Sequence, residues 1–82
     1  MAEATAKLFD YRKPVADQVE PAKLAELSAL ADAVVAARAA RDDDATNAAK
    51  LALMEACKPL YRKNHNDLET SLLRDARARA AA

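Results

Sequence analysis

The side chains that most often carry out chemistry are few in this chain, and their spacing does not suit catalysis. The 82 residues include one His, one Cys and no Gly, and the only serines, Ser28 and Ser71, fall within segments with helical periodicity. The spacing of His65 from Cys57 matches no zinc-ligand pair. A chain without glycine also cannot form the glycine-dependent loop that cradles phosphate. We therefore predict no enzyme, no catalytic residue, no metal site and no cofactor.

Three consecutive carboxylates, Asp42 to Asp44, form the only acidic run. A calcium loop needs alternating oxygen ligands, a central Gly and a terminal Glu, and all three are missing from this segment. The run instead predicts a solvated turn, in which Asp44, Thr46 or another short polar side chain caps the helix that follows.

Cys57 is the only thiol, and a chain with one Cys suits a reducing compartment. We expect Cys57 to be a small buried hydrophobe, with an intermolecular disulfide or a reactive thiol as alternatives. Nowhere does the sequence contain even ten uninterrupted apolar residues, so it shows neither a signal peptide nor a membrane span. These features predict a cytoplasmic protein with no membrane partner.

Two basic clusters could contact phosphates. One contains Arg62 and Lys63 beside Tyr61, which is available for stacking, and the other contains Arg74 and Arg77. Acidic residues interrupt both clusters, and the sequence pI of about 6.6 is low for a nucleic-acid module. Nucleic acid is therefore a less favoured partner than protein.

The elements that hold these residues are predicted to be helical. The chain has 23 Ala and only 20 larger apolar residues, half of them Leu, which favours helix but supplies little core. Residues 1–44 carry 6 basic and 9 acidic side chains, whereas residues 45–82 carry 7 and 4, so the two halves attract each other. This composition predicts a small helical protein that is more stable when it associates with other copies or with a partner.

The apolar periodicity and the breaks predict an all-α fold, an antiparallel helical hairpin of residues 21–41 and 45–63. Pro59 should kink or interrupt the second helix, because it removes one backbone donor and crowds the preceding turn. Residues 66–79, beginning at a cap on Asn66, form either a separate third helix or the continuation of a long kinked one. The predicted domains are an N-terminal arm or short helical turn at residues 1–20 and a helical unit at residues 21–82.

The first helix is apolar nearly all round, which is typical of a helix that is buried on more than one side. Opposite its leucine seam lies a face made of alanine, where Ala25, Ala29, Ala33 and Ala36 are the predicted partner-binding residues. Close approach of another helix would explain this face, and exposed alanine selected for helix propensity is the alternative.

The arm holds two of the three aromatic residues, Phe9 and Tyr11. One interpretation folds the arm back over the hairpin. The other makes Phe9 and Tyr11 anchors for a partner protein, because aromatic side chains dominate contact energetics.

The run Leu60-Tyr61-Arg62-Lys63-Asn64, followed by Leu72-Leu73-Arg74-Asp75, is loosely similar in rhythm to the second helix of the needle-filament subunits of bacterial secretion systems. The likeness covers about twenty residues, and Pro59 departs from that pattern. It implies a filament-forming helical hairpin, and no functional residue is carried over from it.

Taken together, these features predict a non-enzymatic protein–protein interaction module: an adaptor, an inhibitor or a small subunit of an assembly, self-associating or stabilised by a partner. The alternatives are a small nucleic-acid-binding protein that uses Arg62, Lys63, Arg74 and Arg77, and a filament subunit.

Overall fold

The computed structural model of the protein describes residues 8–82, so residues 1–7 of the predicted arm lie outside the described residues. A short 3₁₀ turn, Val15–Asp17, precedes three helices: α1 (Pro21–Ala39), α2 (Asp43–Cys57) and α3 (His65–Ala81). The prediction of an all-α hairpin with a third helix is confirmed, and the third helix is separate from the second.

Helix α1 begins at a proline and ends in a left-handed residue. Pro21 occupies the first helical position, where its missing N–H costs no helical hydrogen bond. Arg41 has a φ of 57°, and the Asp42 N–H donates to the Ala37 carbonyl at 3.1 Å, which closes a Schellman motif. This left-handed turn ends α1 at Ala39, two residues before the predicted end at 41.

Helix α2 is capped by the first carboxylate of the acidic run. Asp42 Oδ1 accepts the Ala45 N–H at 3.0 Å, so the cap is neither Asp44 nor Thr46 but another short polar side chain of the predicted turn, Asp42. The helix ends at Cys57, and the predicted helical stretch to residue 63 is wrong beyond that point. Pro59, which has no N–H and crowds the preceding turn, follows two residues later, and residues 58–64 form a turn instead.

Helix α3 begins at His65, one residue before the predicted Asn66 cap. Asn64 holds the capping position, but its side chain makes no capping hydrogen bond. As described below, that side chain binds the N-terminal arm.

Helix α1 is the central element, because it packs against both other helices, and α2 and α3 contact each other least. Through the tight turn at residues 40–42, α2 runs back antiparallel to α1. Arg79 near the end of α3 forms an ion pair with Asp32 of α1 at 2.7 Å, so the C-terminal part of α3 lies beside α1. One core joins all three helices and the arm; its buried members are Phe9, Val15, Leu27, Ala31, Val34, Leu53, Cys57, Tyr61, Leu68, Leu72 and Ala76.

Within residues 8–82, none of the helices has both the length and the apolar content required to cross a lipid bilayer.

Candidate functional site

The N-terminal arm is held on the helices by the side-chain amide of Asn64. Its Oδ1 accepts the Phe9 N–H at 2.9 Å, and its Nδ2 donates to the Phe9 carbonyl at 2.8 Å. The amide thus pairs with both backbone groups of one residue, as a neighbouring strand would. The same Nδ2 also donates to Asp67 Oδ2 at 3.2 Å, which orients the amide. Asn64 therefore holds the arm backbone at Phe9, and this role leaves its side chain unavailable as a helix cap.

A second side-chain amide closes the arm on itself. Gln18 Oε1 accepts the Asp10 N–H, and Gln18 Nε2 donates to the Asp10 carbonyl, both at 2.9 Å. Residues 10–18 thereby form a compact loop whose two ends are tied together. Within this loop, the hydrogen bond from the Arg12 N–H to Asp10 Oδ1 lowers the pKa of the Asp10 carboxyl below its usual value.

Tyr61 provides the main surface on which this loop sits. The rings of Phe9 and Tyr61 meet edge to face, with centroids 5.4 Å apart, an arrangement that aromatic pairs favour. The Tyr61 hydroxyl donates to the Gln18 carbonyl at 2.8 Å. Because the Tyr61 side chain is only 5% exposed, it is a core residue and is not available to stack on a base.

The two aromatic residues predicted as anchors have different surroundings. Phe9 is 3% exposed and belongs to the core of its own chain, so it is not part of the free surface. The described part of the arm, from residue 8 onward, folds back over the helices, as the first interpretation held. Tyr11 is 61% exposed on the loop and remains accessible to a partner.

The alanine face of α1 is open along its length. The leucine side of the helix, centred on Leu27 and Val34, is buried. On the opposite side, every alanine of the face is exposed: Ala22, Ala25, Ala29, Ala33, Ala36 and Ala40. At 1.5 Å per residue this face is about 27 Å long. In the single chain, α1 is therefore covered on one side only.

The four candidate nucleic-acid contacts do not form one patch. Arg62 and Lys63 are exposed in the turn before α3. Arg74 and Arg77 are exposed on α3, and Arg74 lies about 14 Å along the helix from its first residue, His65. The structure thus divides them into two separated pairs.

The remaining titratable residues of interest are Cys57 and His65. Cys57 is fully buried, and loss of solvation, with a smaller effect from the Glu69 carboxylate, raises the pKa of its thiol to about 12. His65 Nδ1 lies 2.6 Å from Glu69 Oε2, one helical turn away. Within the described part of the chain, no group of three or more His, Cys, Asp or Glu side chains could hold a metal ion.

Sequence reasoning did not identify Gln18 and Asn64 as the residues that fix the arm. Asn64 stands out in the sequence only as the last residue of the run that resembles the needle-filament subunits, and Gln18 carries no local signal. Each contact joins residues far apart in sequence, 55 positions in the case of Asn64 and Phe9. The only signal in the sequence for this role is that the Asn64 amide lies three residues after the aromatic Tyr61.

Comparison of the chain with known protein families, curated proteins and solved structures found no match.

Proposed function

We propose that the chain is a non-enzymatic helical protein–protein interaction module, either a self-associating subunit or an adaptor or inhibitor stabilised by a partner. Its binding surface is the alanine face of α1. This assignment is supported by one observation above all, the exposure of all six alanines of this face, five in α1 and Ala40 at its end, while the opposite side of the helix is buried.

The physical basis is the closeness with which another helix can approach. Methyl side chains leave the backbone of α1 near its surface, and helices that meet through small residues pack at the short end of the usual 8–10 Å spacing, about 8 Å. Burial of such a face would also add apolar contact that the small core does not supply. The flanking charges Glu26 and Asp32 are exposed at the edges of the face and leave its centre apolar.

The test measures assembly and stability on the same samples. Light scattering over a dilution series should show a mass above that of the monomer. Circular dichroism should show a melting temperature that rises with concentration, because association stabilises the folded state by mass action. Ala33→Glu should abolish both effects while leaving the helical signal intact in dilute protein.

Ala78→Glu is the matched control, because Ala78 is exposed on α3, outside the alanine face. If the chain is monomeric, the tagged protein should retain a foreign partner from its host, and Ala33→Glu, unlike Ala78→Glu, should release it. A monomer that melts at a constant temperature and retains no partner through Ala33 contradicts the proposal. Retention on RNA or DNA that disappears with moderate salt and with Arg74→Glu would favour the nucleic-acid alternative instead.

A further inference from the structure

The outer side of α2 is a second surface that the fold leaves without a partner. It has an apolar centre with a carboxylate at each end, and its exposed members are Asp44, Ala48, Leu51, Ala52 and Glu55. Leu51 is 54% exposed, one of the few large apolar side chains of the described residues that lie in water. Glu55 is held only by an exposed ion pair with Lys58 at 3.7 Å, a contact that is weak in water.

A crevice between α1 and α3 has the complementary character. Its apolar lining is Val34, Val35 and Leu73, and Arg38 and Arg77 complete it. Both arginines are exposed, and within residues 8–82 neither has a carboxylate within ion-pair distance. Two positive charges thus lie at one apolar crevice, and no carboxylate of residues 8–82 forms an ion pair with either of them.

The spacing of the two surfaces also agrees. Leu51 and Glu55 are four residues apart on α2, and Leu73 and Arg77 are four residues apart on α3, so each pair occupies neighbouring positions on one helix face. When the two helices lie side by side in the same direction, Leu51 meets Leu73 and Glu55 meets Arg77.

We propose that α2 of one copy docks in the α1–α3 crevice of a second copy, with Leu51 against Val35 and Leu73 and with Glu55 between Arg77 and Arg38. This inference rests on the self-association in the proposed function and names a second contact for it. Leu51 does not line the crevice of its own chain. The contact is therefore heterologous, and each added copy leaves one α2 face and one crevice free.

An interface of this kind continues into a ring or an open filament. The occupant is a copy of this chain because the chain itself supplies both complementary surfaces, in matching register and with opposite charge.

Sedimentation velocity of the full chain over a concentration series tests the contact. Leu51→Glu, Glu55→Arg and Arg77→Glu should each weaken association at least about tenfold, which corresponds to about 1.4 kcal/mol. All three side chains are exposed, so melting of dilute protein should not change. Leu8→Glu is the matched control, because Leu8 is a similarly exposed leucine (65%) on the arm, and it should leave association unchanged.

Charge exchange makes the test specific. In an alternating assembly of the Glu55→Arg and Arg77→Glu chains, and in the double variant, positions 55 and 77 again carry opposite charges at each contact, while Arg38 keeps its positive charge. Because neighbouring charges are coupled, both should associate more tightly than either single variant and less tightly than wild type. Single variants that associate normally, a mixture that fails to recover, or a wild-type chain that is monomeric at every concentration would overturn the inference.

The outcomes also separate this contact from the alanine face. If Ala33→Glu abolishes assembly while Leu51→Glu and Arg77→Glu leave it intact, the proposed function stands and the α2 contact is wrong. If Leu51→Glu, Glu55→Arg and Arg77→Glu weaken assembly while Ala33→Glu does not, the chain self-associates through the α2 contact and the alanine face is not its binding surface.

Discussion

At the level of single residues, two side-chain amides supply backbone hydrogen bonds that the arm would otherwise lack. A segment outside helices and sheets has backbone N–H and C=O groups that need partners when it packs against a core. Asn64 satisfies both groups of Phe9, and Gln18 satisfies both groups of Asp10. The burial of the Phe9 ring therefore depends on polar contacts as well as on Tyr61.

Replacing Asn64 should loosen the arm. In Asn64→Ala, the Phe9 N–H and carbonyl lose their partners, and we expect the free energy of unfolding to fall by about 1–3 kcal/mol. Hydrogen exchange should show faster exchange of the Phe9 amide. Asn66→Ala is the control, since Asn66 is exposed in the first turn of α3 and should change stability by less than about 0.5 kcal/mol. Unchanged protection of the Phe9 amide in Asn64→Ala would contradict this role.

Cys57 should make stability depend on alkaline pH. Burial raises the pKa of its thiol from 9.0 to about 12, so the folded state holds its proton where the unfolded chain releases it. Its contribution is complete below pH 9 and is lost as the pH rises toward 12. Each pH unit in this window should cost about 1.4 kcal/mol.

Urea unfolding of wild type and Cys57→Ala between pH 8 and 10.5 measures this effect. The variant has the same Tyr and Lys residues, so the difference between the two chains isolates the thiol. A pH-independent difference would show that the thiolate is tolerated in the folded protein.

At the scale of elements, the ends of the helices follow from local chemistry. Asp42 caps α2, and the proline at position 59 prevents the helix from extending through the turn. The junction between α1 and α2 is different, because its left-handed position is one that glycine usually occupies and this chain contains none. The hairpin therefore forms at the cost of a strained residue, Arg41.

Relief of that strain should stabilise the hairpin. Glycine adopts positive φ freely, whereas other residues pay about 1–2 kcal/mol there. We expect Arg41→Gly to raise the free energy of unfolding by about 1 kcal/mol in thermal or urea denaturation. Arg38→Gly, within the last turn of α1, is the control and should be destabilising by about the same amount. If both variants destabilise the protein, Arg41 contributes contacts that outweigh its strain.

At the scale of the whole molecule, three helices cannot surround one another. The described part of the chain measures 46 × 26 × 21 Å, which is about two helix diameters across its narrow directions. In such an arrangement each helix keeps an outer side, and α1 covers its leucine side with α2 and α3 while its alanine side stays open. The exposed surfaces are thus a consequence of helix number, and the proposed assembly would cover them.

Much of the fold could be predicted from local patterns. The three helical segments, the break at Asp42 to Asp44 and the interruption at Pro59 follow from periodicity and from residues that cap or stop a helix. The helix ends were less accurate, because Arg41 entering the left-handed region and Asn64 leaving its capping role depend on their surroundings. The alanine positions of the candidate surface were also identifiable, since they follow from helical geometry alone.

Local sequence patterns are enough to specify which segments are helical and which side of each is apolar, because these properties depend on residues three or four positions apart. The packing of the helices is needed to show that Phe9 is buried while Tyr11 is exposed, that the four basic candidates fall into two pairs, and that Arg38 and Arg77 share a crevice. Each of these facts depends on contacts between residues distant in the chain. Such contacts are set by how three finished helices pack, and no local pattern encodes them.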